Sequence, residues 1–367
     1  MTPKVYLDKC RKNAYLGHRR FLPTNHQCRK KGKHFKGEAD HQKKPALRTG
    51  NHILDMVNDL QVIFGKGPGG LSVPNDAEGC APMWKKKSVF WDLPYWKDLE
   101  VRSAINVMHV MKNLCVNLLG FLGMYGKTKD TPKAWEDQQH VHKKDGMHPK
   151  QYEGPASYAL TKEEKKIFFE CLISMKVPSG FSSNIKGIVN MAEKMFQNLK
   201  SHDCHVIMTQ LLPVALRGLL LENVRLAIAN LCAFLNAISQ KVIDPEILPR
   251  LKNNLVQCLV SFKLVFPLSF FNIMIHVLVH LVDEIAILGP VFLHNMLPFE
   301  RFMGVLKKYV CNRARPEGSI STGRQTEEVI GFYVEFIPGL KPIGLPQARY
   351  EGRLTGKGTL GADSTIC

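Results

Sequence analysis

Three side chains that could hold a metal ion recur at four-residue intervals in the second half of the chain. His276, His280 and Glu284 would lie on one face of a helix, each one turn from the next. Imidazole and carboxylate groups are common ligands of Zn²⁺. The residues between the two histidines include no glutamate that could serve as the general base of a zinc hydrolase. Two interpretations therefore stay open: a metal site, or histidines that are hydrogen-bonded within a core.

A second cluster occupies residues 202–205, where the sequence reads His-Asp-Cys-His. Cys204 and His205 could bind a metal ion, or Cys204 could be a reactive thiolate. The alternative is structural, because Asp203 stands where it could cap the start of a helix. No further ligand follows at the spacing of a zinc finger, which favours the cap.

The sequence predicts that helices position these groups. Thr161 and Glu164 have the spacing of a capping box, which opens a helix. Apolar residues recur near every 3.6 positions in seven stretches, and few hairpin turn signals lie between them. These stretches are His52–Phe64, Val101–Leu122, Ile185–Leu199, Cys204–Leu220, Val224–Ser239, Ile247–Phe266 and Phe270–Leu288. The fold class that follows is mainly α.

Composition divides the chain into five parts. Residues 1–50 are a basic, poorly ordered arm, 51–126 contain the first helical segments, and 127–154 are a polar linker. Residues 155–313 form a helical domain, and 314–367 are a loose tail in which Glu328 to Phe336 could form one short element. A chain of 367 residues with 45% hydrophobic content can bury a sizeable core, which excludes a wholly disordered chain.

The net charge of +18 and a sequence pI near 9.4 predict a polyanionic partner, with DNA as the first candidate. Phosphate contacts of this kind carry no sequence preference. The candidate nucleic-acid-binding residues are Arg19, Arg20, Arg29, Lys30, Lys31, Lys33, Lys85, Lys86 and Lys87.

Cysteine usage and the N-terminal residues bear on the compartment. The ten cysteines form no CxxC pair, which favours reduced thiols inside a cell. The N-terminus lacks the pattern of a secretory signal. Residues 264–282 contain no charged side chain, but Pro267, His276 and His280 would be costly in hydrocarbon, so we expect a buried helix and no membrane span.

Several short motifs together resemble the plant CACTA (En/Spm-like) DNA transposases. In chain order they are Gly17–Pro23, Val107–His109, Gly126–Asp130, Lys200–Met208, Leu212–Arg217, Phe270–His276, Pro298–Arg301 and Arg313–Gly318. The resemblance implies that residues 51–126 are an incomplete N-terminal remnant of an RNase H-like transposase core. It also implies that residues 155–313 are the helical domain of unknown function that follows the core in these elements.

The same resemblance implies a DDE/D enzyme whose acidic residues hold two Mg²⁺ or Mn²⁺ ions. Hard divalent cations require carboxylate oxygens, and two such ions clamp the attacking and leaving oxygens of phosphoryl transfer. Here Asn106 stands where relatives have aspartate, and the chain begins too close to Gly17 to supply the strand that would carry the first acid. Glu300 is then the one catalytic candidate left, so we expect no productive metal binding.

The expected function is that of a transposon-derived protein, a catalytically inactive remnant that retains non-specific, phosphate-mediated DNA binding. Nuclear localisation follows from the resemblance and from the basic arm. Two other functions stay open. One is a helical module for protein interaction or self-association without a DNA-binding role. The other is an active divalent-metal-dependent nuclease that would depend on Glu300.

Overall fold

Helices make up 64% of the structure, a computed structural model, and the prediction of a mainly α fold is confirmed. The structure describes residues 4–30, 39–58, 87–126, 128–143, 156–175 and 185–339, and for 138–143 the backbone alone. Within these ranges helices α1 to α12 are Gln27–Lys30, Gly50–Asn58, Val107–Phe121, Pro132–Lys143, Lys162–Ser174, Ser201–Val206, Leu212–Ala215, Glu222–Ile238, Leu248–Val265, Ile273–Leu288, Leu297–Tyr309 and Pro316–Phe336.

Two short antiparallel hairpins accompany the helices in the described residues. Strands β1 (Lys4–Leu7) and β2 (Lys12–Tyr15) pair with Lys4 opposite Tyr15, and β3 (Val189–Asn190) pairs with β4 (Met195–Phe196). Hairpins of this size do not identify a larger fold, so the RNase H-like remnant stays a prediction.

The first hairpin belongs to the segment that the sequence predicts to be a poorly ordered arm. Leu7 and Ala14 are buried, and the Tyr15 amide donates a hydrogen bond of 2.8 Å to the carbonyl oxygen of Phe271. The Asp137 carboxylate accepts from the amides of Lys9 and Cys10, at 2.9 Å each, which ties the hairpin turn to α4. Contacts with distant segments therefore order a stretch whose own sequence is polar.

The core is a single cluster of buried apolar side chains contributed mainly by α3, α6, α8, α9 and α10. Phe270 lies at the centre of an aromatic group within it. Its ring centroid is 5.3 Å from that of Phe121, 5.4 Å from Phe262, 4.5 Å from Phe266 and 5.5 Å from Phe271. Aromatic pairs at these separations add to the stabilisation that burial provides.

The uncharged stretch 264–282 is divided between two helices, as the separate apolar-periodic stretches 247–266 and 270–288 predict. Helix α9 ends at Val265, the chain turns through Pro267, and α10 begins at Ile273. In the described ranges, no single helix is both long enough and apolar enough to cross a bilayer. One pair of segments, 273–288 and 291–309, is long and apolar enough when taken together, but a bend of 91° separates them.

Local sequence signals place several helix ends. The capping box of α5 is confirmed: Thr161 Oγ1 accepts from the Glu164 amide at 3.2 Å, and Glu164 Oε2 accepts from the Thr161 amide at 2.8 Å. Asn272 caps α10 by accepting from the amides of Met274 and Ile275. Gly289 follows α10 with φ of 82°, a left-handed conformation that glycine adopts without strain.

The stretch 204–220, predicted as one helix, forms α6 and α7 joined by a π-helical turn at Ile207–Leu211. Pro213 has no amide hydrogen, so it cannot donate to the carbonyl oxygen of Thr209 four residues earlier. The Asn236 side chain of α8 donates to that oxygen instead, at 3.1 Å. The turn is therefore stabilised from a neighbouring helix.

The helix predicted for Ile185–Leu199 is wrong, since this stretch forms a short 3₁₀ helix and the β3–β4 hairpin. Asn190 Oδ1 accepts from the amides of Ala192 and Glu193, at 3.0 and 3.2 Å, and so closes a turn. Lys194 and Asn198 have positive φ, which a helix does not allow. Helix α4 lies in the predicted linker, where no element was expected, and α12 begins at Pro316, well before the short element expected at Glu328 to Phe336.

We predict that Phe270→Ala lowers the free energy of unfolding by about 3 to 5 kcal/mol, because it removes a fully buried ring from a close-packed aromatic group. Chemical denaturation monitored by circular dichroism measures the change. The matched control is Phe292→Ala, since that ring is 53% exposed and its loss is expected to cost less than about 1 kcal/mol. Equal losses in the two variants would contradict the packing described.

Candidate functional site

The polar face of α10 is the candidate site at which distant parts of the chain meet. His276, His280 and Glu284 follow one another at intervals of one turn, as the sequence predicts, and all three are buried or part-buried. The Nε2 atoms of His276 and His280 lie 3.3 Å apart. One imidazole donates and the other accepts at this distance, so the two rings must be opposite tautomers.

Residues of the N-terminal segment cover the two histidines. The Tyr15 ring stacks on His276, with centroids 5.0 Å apart and planes 5° from parallel. The His18 ring centroid lies 5.9 Å from that of His276, and Phe21 meets His280 edge-on at 5.8 Å. We call Tyr15, His18, Phe21, His276 and His280 the histidine cluster.

Burial makes the imidazoles of the histidine cluster poor bases. Desolvation, reinforced by the nearby His276 and Lys263, lowers the pKa of His18 to about 3. Desolvation and then His280 lower the pKa of His276 to about 4. Both rings are neutral at pH 7, so they can accept or donate hydrogen bonds but cannot supply positive charge to an anion.

His18 shows the cost of this arrangement. Its side chain is 1% exposed, and neither ring nitrogen has a hydrogen-bond partner among the described residues. Leaving such groups without partners costs about 1 to 3 kcal/mol each. The sequence analysis does not single out His18, Tyr15 or Phe21 as partners of α10, because no local spacing links residues some 260 positions apart.

Glu284 serves the backbone and is not a third ligand. Its Oε1 accepts a hydrogen bond of 2.6 Å from the amide of Ile105, which precedes α3. Burial raises the pKa of this carboxyl group, and the Ile105 amide partly offsets the effect. Beside it, a cavity of about 290 Å³ is lined in part by Arg102, His280 and Asp283. The lining also includes Glu100, and the Asp283 carboxylate is paired with Lys252.

The residues at 202–205 also have structural partners. Asp203 Oδ2 accepts from the Lys200 amide at 2.9 Å and so caps α6. Cys204 is fully buried and accepts a hydrogen bond from the Cys115 thiol, which lowers the pKa of Cys204. The Nδ1 atom of His205 lies 3.2 Å from the sulfur of Met111.

The described parts of the chain contain no group of three or more histidine, cysteine, aspartate or glutamate side chains placed to hold a metal ion. The metal roles predicted for His276, His280, Cys204 and His205 stay predictions. A two-metal centre needs several carboxylates aimed at one point. The donor set visible here does not fit a pair of Mg²⁺ or Mn²⁺ ions.

The two catalytic candidates stand at the starts of two helices. Asn106 is the N-cap of α3, and its Oδ1 accepts from the His109 amide at 3.1 Å. Glu300 is exposed in the first turn of α11. Val107 and Leu297, at the same helix starts, line one cavity of about 250 Å³. Neither Asn106 nor Glu300 is among the residues that line this cavity, and Asn106 already has a capping role.

Three arginines predicted to bind nucleic acid make hydrogen bonds or ion pairs that join residues within 17–30 and 39–42, and their role in nucleic-acid binding stays a prediction. The Arg29 guanidinium is 2% exposed and donates to the carbonyl oxygens of Leu22, Asp40 and Gln42, at 3.0, 2.9 and 2.6 Å. Arg19 is buried and donates to the carbonyl oxygen of Cys28 at 3.3 Å. Arg20 pairs with the Asp40 carboxylate at 3.2 Å.

The remaining predicted basic residues divide into two groups. Lys30 is exposed, and Lys87 is part-buried with its ammonium 3.6 Å from the Asp92 carboxylate. Lys31, Lys33, Lys85 and Lys86 lie outside the described residues. Further basic residues lie on the first hairpin and on and near α4.

Five basic residues form what we call the hairpin patch: the exposed Lys9, Arg11, Lys129 and Lys133, and the part-buried Lys12. Arg11 is exposed at the hairpin turn, with φ of 50°. Desolvation, and next the positive charge of Lys12, lower the pKa of the Lys129 ammonium, so these two cations lie near each other. Lys12 and Lys133 both act electrostatically on Cys10 between them. Of the nearby acids, Glu136 pairs with Lys9 at 3.8 Å, and Asp137 accepts from backbone amides.

We predict that Arg29→Lys lowers the free energy of unfolding by at least about 2 kcal/mol, because lysine cannot replace a planar guanidinium bonded to three carbonyl groups. Denaturant titration measures the change in the free energy of unfolding. The neighbouring exposed Lys30→Ala is expected to change stability by less than about 0.5 kcal/mol. If Arg29→Lys were fully stable but weaker in DNA binding, the structural role assigned to Arg29 would be wrong.

Stability should fall in acid because of the histidine cluster. A histidine whose folded pKa is depressed binds its proton more readily in the unfolded chain, so stability is lost as pH falls from about 6.5 towards the folded pKa. His18 and His276 are each expected to cost about 2 kcal/mol between pH 7.5 and pH 5.

His18→Leu tests this directly, since leucine removes both orphaned nitrogens while keeping a similar volume. We expect the variant to lose about 2 kcal/mol less than the natural protein between the same two pH values, by denaturant titration at each. Exposed His109→Leu is the control and should leave the pH dependence unchanged. An unaltered pH dependence in His18→Leu would show that this imidazole does not titrate as described.

Comparison with known families gives two matches. Residues 1–60 match the transposase family tnp2, and residues 238–343 match a domain of unknown function, DUF4218. No curated protein and no solved structure gives a significant match. The histidine cluster joins the two matched segments, since Tyr15, His18 and Phe21 lie in the first while His276 and His280 lie in the second. Both families are associated with transposable elements, and the matches indicate a transposon-derived protein.

Proposed function

We propose that the chain is a catalytically inactive remnant of a DDE/D-type DNA transposase, of the plant CACTA (En/Spm) kind, that retains non-specific DNA binding and acts in the nucleus. The observation that carries the DNA-binding part is the hairpin patch. It concentrates exposed cations within the segment that matches the tnp2 family and on the neighbouring α4. Exposed lysine and arginine side chains neutralise phosphates without reading bases.

The structure of the patch favours phosphate binding over a purely solubilising role. Desolvation and then the charge of Lys12 lower the pKa of Lys129, so an anion bound between the two cations would relieve part of this cost. The backbone of the hairpin turn is fixed by Asp137, which keeps Lys9 and Arg11 in place before a ligand arrives. A preorganised patch loses less entropy on binding than a flexible arm.

The proposal of inactivity rests on the donor set. Asn106 supplies a neutral amide oxygen that already accepts from the His109 amide, and Glu300 stands alone at the start of α11. Neutral oxygen cannot offset the charge of two divalent cations as carboxylate does. We therefore expect Mg²⁺ or Mn²⁺ to find no productive site at these residues.

DNA binding is predicted to be strongly salt-dependent and indifferent to sequence. Fluorescence anisotropy with labelled duplexes of unrelated sequence, between about 50 and 200 mM salt, should give parallel lines of log affinity against log salt. Arg11→Gln combined with Lys129→Gln should make the slope shallower by about 2, since each lost phosphate contact contributes about 0.9. The matched control, Lys186→Gln with Arg217→Gln, removes two exposed cations elsewhere and should change the slope little.

Four outcomes would overturn parts of this proposal. Absence of binding at the lowest salt removes the DNA-binding function. An equal change of the salt slope in the control variant would show that DNA binds outside the hairpin patch. Cleavage or joining of the same duplexes with Mg²⁺, abolished by Glu300→Gln, would establish an active nuclease. Exclusion of a fluorescent fusion of the full chain from nuclei would contradict the proposed location.

A further inference from the structure

Helices α11 and α12 expose apolar side chains to an extent that the rest of the described structure does not. Neither helix contains a buried residue, whereas each of the long helices α8, α9 and α10 buries one face. Phe299 and Phe302 of α11 are 60% and 51% exposed, and Phe332 and Phe336 of α12 are 68% and 74% exposed. Contiguous apolar surface of this kind on a folded chain marks an interaction site.

The exposed side chains form stripes, not scattered points. Phe299, Phe302 and Met303 follow the i, i+3, i+4 spacing of one helix face, and Val329, Phe332 and Phe336 follow i, i+3, i+7. The Phe332 and Phe336 rings are parallel within 7°, with centroids 6.2 Å apart. Such a stripe on an amphipathic helix is normally covered by another helix.

The two helices already pack against each other, so they form a unit that can dock as one body. The Tyr309 ring, at the end of α11, lies over Gly323 of α12, where a Cβ atom would come within 2.7 Å of it. Glycine is therefore required at this contact. We call the two helices together the α11–α12 pair.

Charge identifies the occupant of this surface. Helix α11 carries three basic residues and one acidic residue, whereas α12 carries four acidic residues and one basic residue. An interface between two copies related by a two-fold axis would place α11 of each copy against α12 of the other. Opposite charges would then flank the apolar stripes twice, once for each α11–α12 contact.

We propose that the α11–α12 pair is a self-association surface, through which two copies of this chain form a four-helix bundle. A nucleic acid would fit the surface less well, since α12 carries four carboxylates against one guanidinium and would repel phosphates. Apolar association buries the stripes, and complementary charge sets which helix meets which. The inference does not depend on DNA binding by the hairpin patch.

The test is the mass of the full chain after nuclease treatment, measured by size-exclusion chromatography with light scattering over a range of concentrations. We expect twice the chain mass of 41.5 kDa at concentrations on the order of 50 μM, falling on dilution. Phe302→Asp and Phe332→Asp should each raise the dimer dissociation constant by about tenfold or more. Val242→Asp, at a residue 86% exposed outside the pair, is the matched control and should leave the dimer intact.

Charge exchange tests the arrangement of the helices. Lys307→Glu with Lys308→Glu on α11 should weaken the dimer, as should Glu328→Lys with Glu335→Lys on α12. Combining all four substitutions should restore it, because the opposite charges meet again with their signs reversed. Circular dichroism checks that each variant remains folded.

Each contrary result overturns the proposal. A chain that stays monomeric at the highest concentration has no such interface. A monomer that dimerises only after removal of residues 340–367 would show that the chain's own terminal segment covers the stripes. A dimer that withstands both aspartate variants uses another surface, and a dimer unaffected by either charge exchange does not pair α11 with α12.

Discussion

The packing of the N-terminal segment against α10 is the contact on which the arrangement of the described core depends. Tyr15 donates its amide to Phe271 and stacks its ring on His276, while His18 is buried with both nitrogens unpaired among the described residues. Burying an imidazole in this way costs free energy, so the apolar and aromatic contacts around it must exceed that cost. The contact joins the segment that matches a transposase family to the segment that matches the domain of unknown function.

This packing explains why a basic N-terminal segment is ordered. Burial of Leu7, Ala14 and Leu22 supplies apolar stabilisation, and Arg29 satisfies three carbonyl groups in a loop that has no sheet or helix partners of its own. Positive charge therefore has two separate roles in one segment. Guanidinium groups directed into the fold hold it together, whereas exposed ammonium and guanidinium groups at the hairpin turn face solvent and are available to an anion.

The two ends of the chain differ in how completely they are packed. Among the described helices before α11, the long helices α8, α9 and α10 each bury one apolar face. From α11 onward, the apolar stripes lie in solvent, and a second copy of the chain is the occupant that their charges favour. If the α11–α12 pair is stable only within a dimer, the stability of this pair depends on protein concentration.

The sequence by itself determined the mainly α class and most helix positions, because apolar periodicity, the Thr161–Glu164 capping box and Asn272 act within a few residues of themselves. It also placed His276, His280 and Glu284 on one face. Only tertiary structure decided what these residues contact: Glu284 meets the Ile105 amide, and the histidines meet a segment some 260 residues away. The role of Arg29 was likewise beyond local patterns, because its burial and its carbonyl partners at Leu22, Asp40 and Gln42 depend on tertiary neighbours that spacing does not encode. The hairpin at 189–196 has a local signal in the Asn190 turn, but apolar periodicity alone predicts a helix there.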